Sequence, residues 1–428
     1  MTLINVSKLK QVWHAKDIRN DIFFVLSLLF VSRILAHIPV PGVDAAALRQ
    51  YFTGNQIFGL LNIFTGGGLE NFSIVLLGVG PYITASIILQ LLTLVVPRIQ
   101  ELSKEGERGR QKINQWTRYL TIPLALIQSY ATMVFLSQQT SFNFLNAMSI
   151  LDRITAITSI TAGTVFLMWL GELISEKKIG NGISILIFAG IVAALPKAAA
   201  QAWVNLSDNP TSLNDYLIFL IVALFTIIAI VFITEGQRTI PIAHARQQYG
   251  SRMAGGVKSH LPLRVNQAGM IPIIFAISLM VMPPIVARFF LGAQSSVIVS
   301  SAQTIIDLFT NQLFYGLLYF SLVVGFTYFY TAIIFQPTEI AENLQKQGAF
   351  IPGVRPGRET AGYLNTLMNR IVLVGAIFLG VIAIIPVLMQ NQGGVNLVIS
   401  GASMLIVVGV VIEIVKQIDS QLIMRHYE

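Results

Sequence analysis

The chain has no cysteine, which excludes disulfides, zinc–thiolate centres and thiol chemistry without identifying a compartment. Charge is the next shortage. Asp, Glu, Lys and Arg make up 11% of the residues, against roughly 25% in soluble proteins. The five histidines, His14, His37, His244, His260 and His426, form no metal-ligand spacing. No phosphate-binding loop is present, since Gly255 to Ser259 (GGVKS) is too short to make one, and there is no nucleophile elbow. Ionisable groups within the apolar runs are few: Arg33, with Glu172 and Glu413 near run ends. Ion-coupled carriers use paired intramembrane carboxylates, and this pattern is missing. Arg33 reads as a side chain that snorkels or meets backbone carbonyls rather than as a gating charge. Catalytic residues, metals and cofactors are therefore all expected to be none.

What the chain has instead is apolar length. Of its 428 residues 54% are hydrophobic, and the mean hydropathy is +0.70. Runs of about 20 apolar residues suit helices that cross a bilayer, not a β-barrel. Ten such runs start near residues 22, 72, 119, 154, 183, 216, 268, 313, 371 and 397. The first is too long for a signal-peptide core and lacks a small-x-small cleavage site, so it is expected to be retained. Between them lie an N-terminal arm (1–21), loops at 98–118, 235–264 and 336–370, and a tail (416–428). The polar stretch 205–215 divides the spans into a first half, 22–204, and a second, 216–415. Five spans in each half would invert the second half relative to the first, an arrangement that places a pathway between repeats. Of the 28 lysines and arginines, 23 fall on one set of alternate loops and 4 on the other, with Arg33 inside the first span. The positive-inside rule then puts both termini in the cytosol. The same bias accounts for the net charge of +8 and directs it at the anionic leaflet and cytosolic partners.

Three features interrupt this pattern. Thr53 to Pro97 is largely apolar yet broken by Gly66, Gly67 and Gly68 and again at Gly78 to Pro81 (GVGP). Such backbone does not hold a helix, and at membrane depth it is tolerated only when buried in protein or lining a watery cavity. It is either a re-entrant packing element or a movable stopper followed by a pore-lining helix. Ile179 to Ser184 (IGNGIS) is a glycine turn that starts the fifth span. The two long cytosolic loops carry Arg246, Arg252 and Lys258, and Arg355 and Arg358. Proline and glycine frame Arg355 and would hold its guanidinium fork in place for phosphate or carboxylate.

With these features the chain resembles the SecY family, the pore subunits of the bacterial Sec protein-export channel. The resemblance covers nearly its whole length. It rests on IPVPGVD (Ile38 to Asp44), GVGPYITASI (Gly78 to Ile87), EGERGR (Glu105 to Arg110), MWLGE (Met168 to Glu172), IGNGIS, SHLPLR (Ser259 to Arg264) and GAFIPGVRPG (Gly348 to Gly357). It implies an all-α integral membrane protein whose ten transmembrane helices form two inverted halves around a central hourglass pore. A short plug near 57–70 would include Ile57, Leu60, Leu61, Ile63, Phe64, Gly66, Gly67 and Gly68. A waist ring of Val79, Ile83, Ile183, Ile187, Ile274 and Ile406 would close the pore. A lateral gate would carry Thr84, Ser86, Gln90, Gln128, Asn266 and Gln267. Arg246, Arg252, Lys258, Arg355 and Arg358 would dock the SecA motor ATPase or a translating ribosome, contacting ribosomal RNA, with SecE and SecG as membrane partners. The substrates would be signal peptides and nascent chains, passed across the bacterial cytoplasmic (inner) membrane or released into the lipid bilayer. The chain departs from many relatives in having Val79 where they carry Ile, and from some in Thr239 and in the loop tip Tyr249 to Arg252. The inverted halves also allow a secondary transporter of small solutes. An intramembrane enzyme is disfavoured, because no nucleophile–base pair or metal cluster is present.

Overall fold

A computed structural model describes residues 11–41, 68, 71–139, 148–208, 213–244, 248–249, 252–253, 258–292, 295–389 and 401–426. The chain divides into two compact units: Met1–Leu217 with Ser278–Asn311 and Gly393–Glu428, and Ile218–Ile277 with Gln312–Gln392.

The first unit holds α1 (Lys16–Leu35), α2 (Gly80–Val95), α3 (Pro97–Lys104), α4 (Glu107–Gln139), α5 (Ile150–Glu176), α6 (Gly182–Asp208), α9 (Ser296–Thr310) and α13 (Gly401–His426). The second holds most of α7 (Leu213–Glu235), strands β1 (Gln237–His244), β2 (Gln248–Tyr249), β3 (Arg252–Met253), β4 (Lys258–Arg264) and β5 (Ala349–Phe350), and helices α10 (Gln312–Ile334), α11 (Pro337–Lys346) and α12 (Arg358–Met389). Helix α8 (Ile271–Phe289) belongs to both, its first turns to the second unit and the rest to the first.

Among the described residues five helical stretches are long and apolar enough to cross a membrane: α5, α6, α7, α10 continued by α11, and α12. The bent pair of α2 and α3 makes up to six. The other expected spans fall in α1, which carries Arg33, in α4, whose first turns are polar, in α8, interrupted by Pro283 and Pro284, and in α13, which carries Glu413, Lys416 and Asp419. Local chemistry sets several starts. Proline occupies the first turn of α2, α3 and α11, where its missing N–H has no intrahelical partner to lose. Helix α5 opens with a capping box: the Asp152 N–H donates to Ser149 Oγ at 3.3 Å, and the Ser149 N–H donates to Asp152 Oδ2 at 3.2 Å.

Two loops expected from the sequence are structured. Residues 98–118 are helical, in α3 and the start of α4, and turn at Gly106 (φ +75°). Gly109 lets the two helices meet, because a Cβ there would strike the Leu102 carbonyl. The stretch 235–264 contains a hairpin, so the fold is mostly rather than wholly helical. β1 pairs antiparallel with β4 from Gln237↔Arg264 to Ala243↔Lys258, and β5 adds to the other edge of β1 through Ala243↔Phe350 and His244↔Ala349. Alternation decides its faces. Ile240, Ile242 and Leu263 are buried, while Thr239, Pro241, His260 and Pro262 are exposed. Ile240 and Leu263 join Phe335, Ile351, Leu364, Leu367, Met368 and Val372 in one core beneath the hairpin.

Candidate functional site

The broken segment before α2 is held against the end of α1 by backbone pairing. The Val40 N–H donates to the Phe72 carbonyl at 2.9 Å, and the Ile74 N–H donates to the Ile38 carbonyl at 3.0 Å, with Pro39 and Ser73 bridging antiparallel between them. Asn71 Nδ2 adds a bond to the Ala36 carbonyl at 3.1 Å. From Ser73 to Gly80 the chain advances by tight i→i+3 turns, with Phe72 (φ +46°) and Gly78 (φ +55°) left-handed. Phe72, Val75 and Leu76 are buried. Over residues 71–79, then, the unwound backbone is tolerated because protein packs around it. Gly163 of α5 makes this possible: a Cβ there would collide with the Ile74 carbonyl. Of the plug expected from the family, Ile57, Leu60, Leu61, Ile63, Phe64, Gly66 and Gly67 lie outside the described residues. Gly68 is described. Its carbonyl accepts from the Ser73 N–H at 2.9 Å, and a Cβ on it would lie 2.7 Å from the Val75 carbonyl oxygen.

The aliphatic residues follow from these supports. Val79 caps α2 and is buried, and Ile83, half-buried, lies one turn on. Ile183 and Ile187 sit in the first two turns of α6. Ser175 ties that start to α5: its hydroxyl donates to the Gly171 carbonyl at 2.9 Å and accepts from the Gly182 N–H at 2.9 Å. Asn181 Oδ1 accepts from the Ser184 N–H at 3.2 Å, as an N-cap. Gly171 and Gly182 bring α5 and α6 together, since a Cβ on Gly182 would strike the Gly171 carbonyl and one on Gly171 would lie 2.5 Å from Ile183 Cδ1. Ile187 is 2% exposed, and Ile406, on α13 packed against α6, is fully buried. In the second unit Ile274 is buried in α8 beside Phe275, whose ring meets Phe326 at 5.8 Å and Tyr330 at 6.0 Å.

The polar groups of the expected gate are satisfied locally where bonds are present. Thr84 Oγ1 donates to the Gly80 carbonyl at 3.1 Å, and Gln90 Nε2 donates to Ser86 Oγ at 3.2 Å, both within α2. Gln128 and Gln267 are half-buried. Asn266 is buried, and its Oδ1 has no hydrogen-bond partner among the described residues.

The stretch around β5 and the start of α12 gives Arg355 a built presentation. Ile351 is buried and Val354 packs on the hairpin core, while Arg355 and Arg358 are exposed. Gly353 (φ +86°) and Gly357 (φ +94°) take backbone geometry that a Cβ disfavours. Thr360 Oγ1 donates to the Arg355 carbonyl at 2.8 Å. Arg246 lies outside the described residues. Arg252 and Lys258 are placed by backbone in β3 and β4.

Sequence reasoning missed two ion pairs in the first unit. Arg118 Nε donates to Glu172 Oε1 at 2.6 Å, and Lys177 Nζ lies 2.9 Å from Asp21 Oδ1 and 5.0 Å from the Phe24 ring centroid. Gln421 of α13 donates to the Lys178 carbonyl at 3.0 Å.

The SecY family model matches residues 73–415. The chain belongs to the SecY family. It is 42% identical to the protein translocase subunit SecY of Streptomyces galbus, over 98% of each chain. It is 41% identical to that of Vibrio cholerae (96% of this chain, 93% of the relative) and 40% identical to that of Thermotoga maritima (98% and 96%). Its fold is similar to a solved protein-conducting channel, with TM-score 0.61, 17% identity, and 93% and 91% of the two chains covered. It is also similar to Sec61 in the canine ribosome–channel complex, with TM-score 0.57, 16% identity, and 92% and 90% covered. The protein is thus a SecY-family translocation channel, a multi-pass membrane pore that conducts polypeptide and has no enzymatic role. Family membership sets aside the small-solute transporter.

Proposed function

We propose that this SecY-family channel seals itself with Val79, Ile83, Ile183, Ile187, Ile274 and Ile406 and parts that seal around an unfolded chain. The observation that carries this is chemical: all six are aliphatic, and Val79, Ile187, Ile274 and Ile406 are buried. A Val and Ile constriction dewets and blocks ions. It has no donor, acceptor or charge, so a passing polypeptide of any sequence finds nothing to bind. The plug residues 57–70 add a second stopper on the external side. Thr84, Ser86, Gln90, Gln128, Asn266 and Gln267 belong to a lateral gate that lets signal peptides and other apolar segments leave for lipid. That transfer is driven by about 25 cal/mol for each Å² of apolar surface buried.

Energy comes from outside the chain. Arg355, held out by its glycine–proline frame, is the principal contact for a cytosolic partner, SecA or the ribosome, with Arg246, Arg252, Lys258 and Arg358 around it. The solved ribosome-bound Sec61 channel supports a ribosomal partner. SecE and SecG complete the membrane complex. Both termini face the cytosol, and the two five-span halves are related by inversion.

The test is a secretory chain arrested mid-passage and carrying a photo-crosslinker. Adducts at all six aliphatic positions are expected. Adducts confined to other residues overturn the assignment.

A further inference from the structure

Helix α9 takes part in neither the seal nor the docking loops. At 100° per residue its apolar side chains fill one arc of about 200°, and Ser300, Gln303 and Asp307 lie on the other. Ala302, 4% exposed, seats one edge of the apolar arc on the protein. The other edge is bare: Val297 is 71% exposed, Ile298 44%, Ile305 38% and Leu308 44%. The one polar residue within the bare arc, Ser301, donates its hydroxyl to the Val297 carbonyl at 2.8 Å. That bond removes most of the cost of taking it out of water. On the polar side Gln303 Nε2 donates to Asp307 Oδ1 at 3.0 Å.

Chain continuity identifies what covers the bare arc. Only Asn311, in extended backbone (φ −69°, ψ 115°), separates α9 from α10. α10 is apolar enough to cross a membrane, and its Leu313 and Leu317 are 77% and 67% exposed. One end of α9 is therefore one residue from the point where the chain enters hydrocarbon. Asp307 is the sole ionisable group of α9, so contact with lipid would rest on apolar area, not on attraction to anionic headgroups.

We propose that α9 is an interfacial helix, with the arc of Val297, Ile298, Ile305 and Leu308 bedded about 5–10 Å into the leaflet at the N-terminal end of α10. It ties the connection between α8 and α10 to the membrane surface.

The chain has no cysteine, so single-cysteine variants report cleanly. The full-length channel complex would be reconstituted in phosphatidylcholine vesicles, with bimane at Val297→Cys, Ile305→Cys or Leu308→Cys, and at Ser300→Cys or Gln303→Cys. Quenching by brominated lipid and by aqueous iodide would be compared. Brominated lipid should quench the first group several-fold more than the second, and iodide the reverse. Iodide quenching of both groups alike would overturn the proposal. So would protection of the first group from both quenchers, which would mean that protein covers the arc. Leu317→Cys on α10 is the reference: if brominated lipid does not reach it, the assignment of α10 as a membrane span fails separately.

Discussion

Single atoms decide several positions in this channel. Gly163 and Gly80 make a matched pair of tests. A methyl at Gly163 meets the Ile74 carbonyl, whereas one at Gly80 meets nothing within 4 Å. Gly163→Ala should cost about 1–3 kcal/mol, as overpacking does, and Gly80→Ala should stay within about 0.5 kcal/mol. Thermal unfolding of the two variants in detergent measures the difference. At the proposed waist, Ile187→Asn puts an amide into a site only 2% exposed; left unpaired there it would cost about 1–3 kcal/mol and give water a foothold. An increased resting ion leak across vesicles is expected, and Ile187→Leu should remain tight. For Arg355, loss of a central arginine contact costs about 2 kcal/mol, or roughly 30-fold in affinity. Arg355→Ala should weaken binding of SecA or ribosomes to the reconstituted channel by about that factor, while Arg358→Ala, outside the glycine frame, should change it less than about threefold.

Among elements, the spanning helices were the legible part. Long apolar runs announce α5, α6, α7, α10 and α12, and the glycine turn Ile179 to Ser184 announces the start of α6. The hairpin was present in the sequence as alternation, with Ile240 and Ile242 on β1 and Leu261 and Leu263 on β4. It was hidden because its basic residues satisfy the positive-inside pattern equally well as a loop. Helices α3 and α9 were hidden for another reason. At 8 and 15 residues they are too short to span, and a search for runs of about 20 passes over them. The Arg118–Glu172 and Lys177–Asp21 pairs join residues far apart in sequence, and no local pattern marks them. The second pair is partly exposed, at 38% and 30%, so Asp21→Asn should change stability by less than about 1 kcal/mol. Gly182→Ala, by contrast, drives α6 off the Gly171 carbonyl and should cost several times as much in the same unfolding measurement.

At the scale of the molecule, the fold and the conducting function follow from family membership. If Gln128 and Asn266 belong to the gate, replacing both with Leu should shift the threshold at which weak signal sequences are exported. Unchanged export of weak-signal substrates in such cells would remove them from it. The pairing of Ile38 and Val40 with Phe72 and Ile74 bears on the whole as well. It works as a clasp: two strands of chain are fastened side by side at the neck of everything strung between them. The length 42–67 can be trimmed or extended at little entropic cost, and the frame around α2 stays fastened. If 57–70 is the stopper proposed above, a channel built this way can vary it independently of its walls.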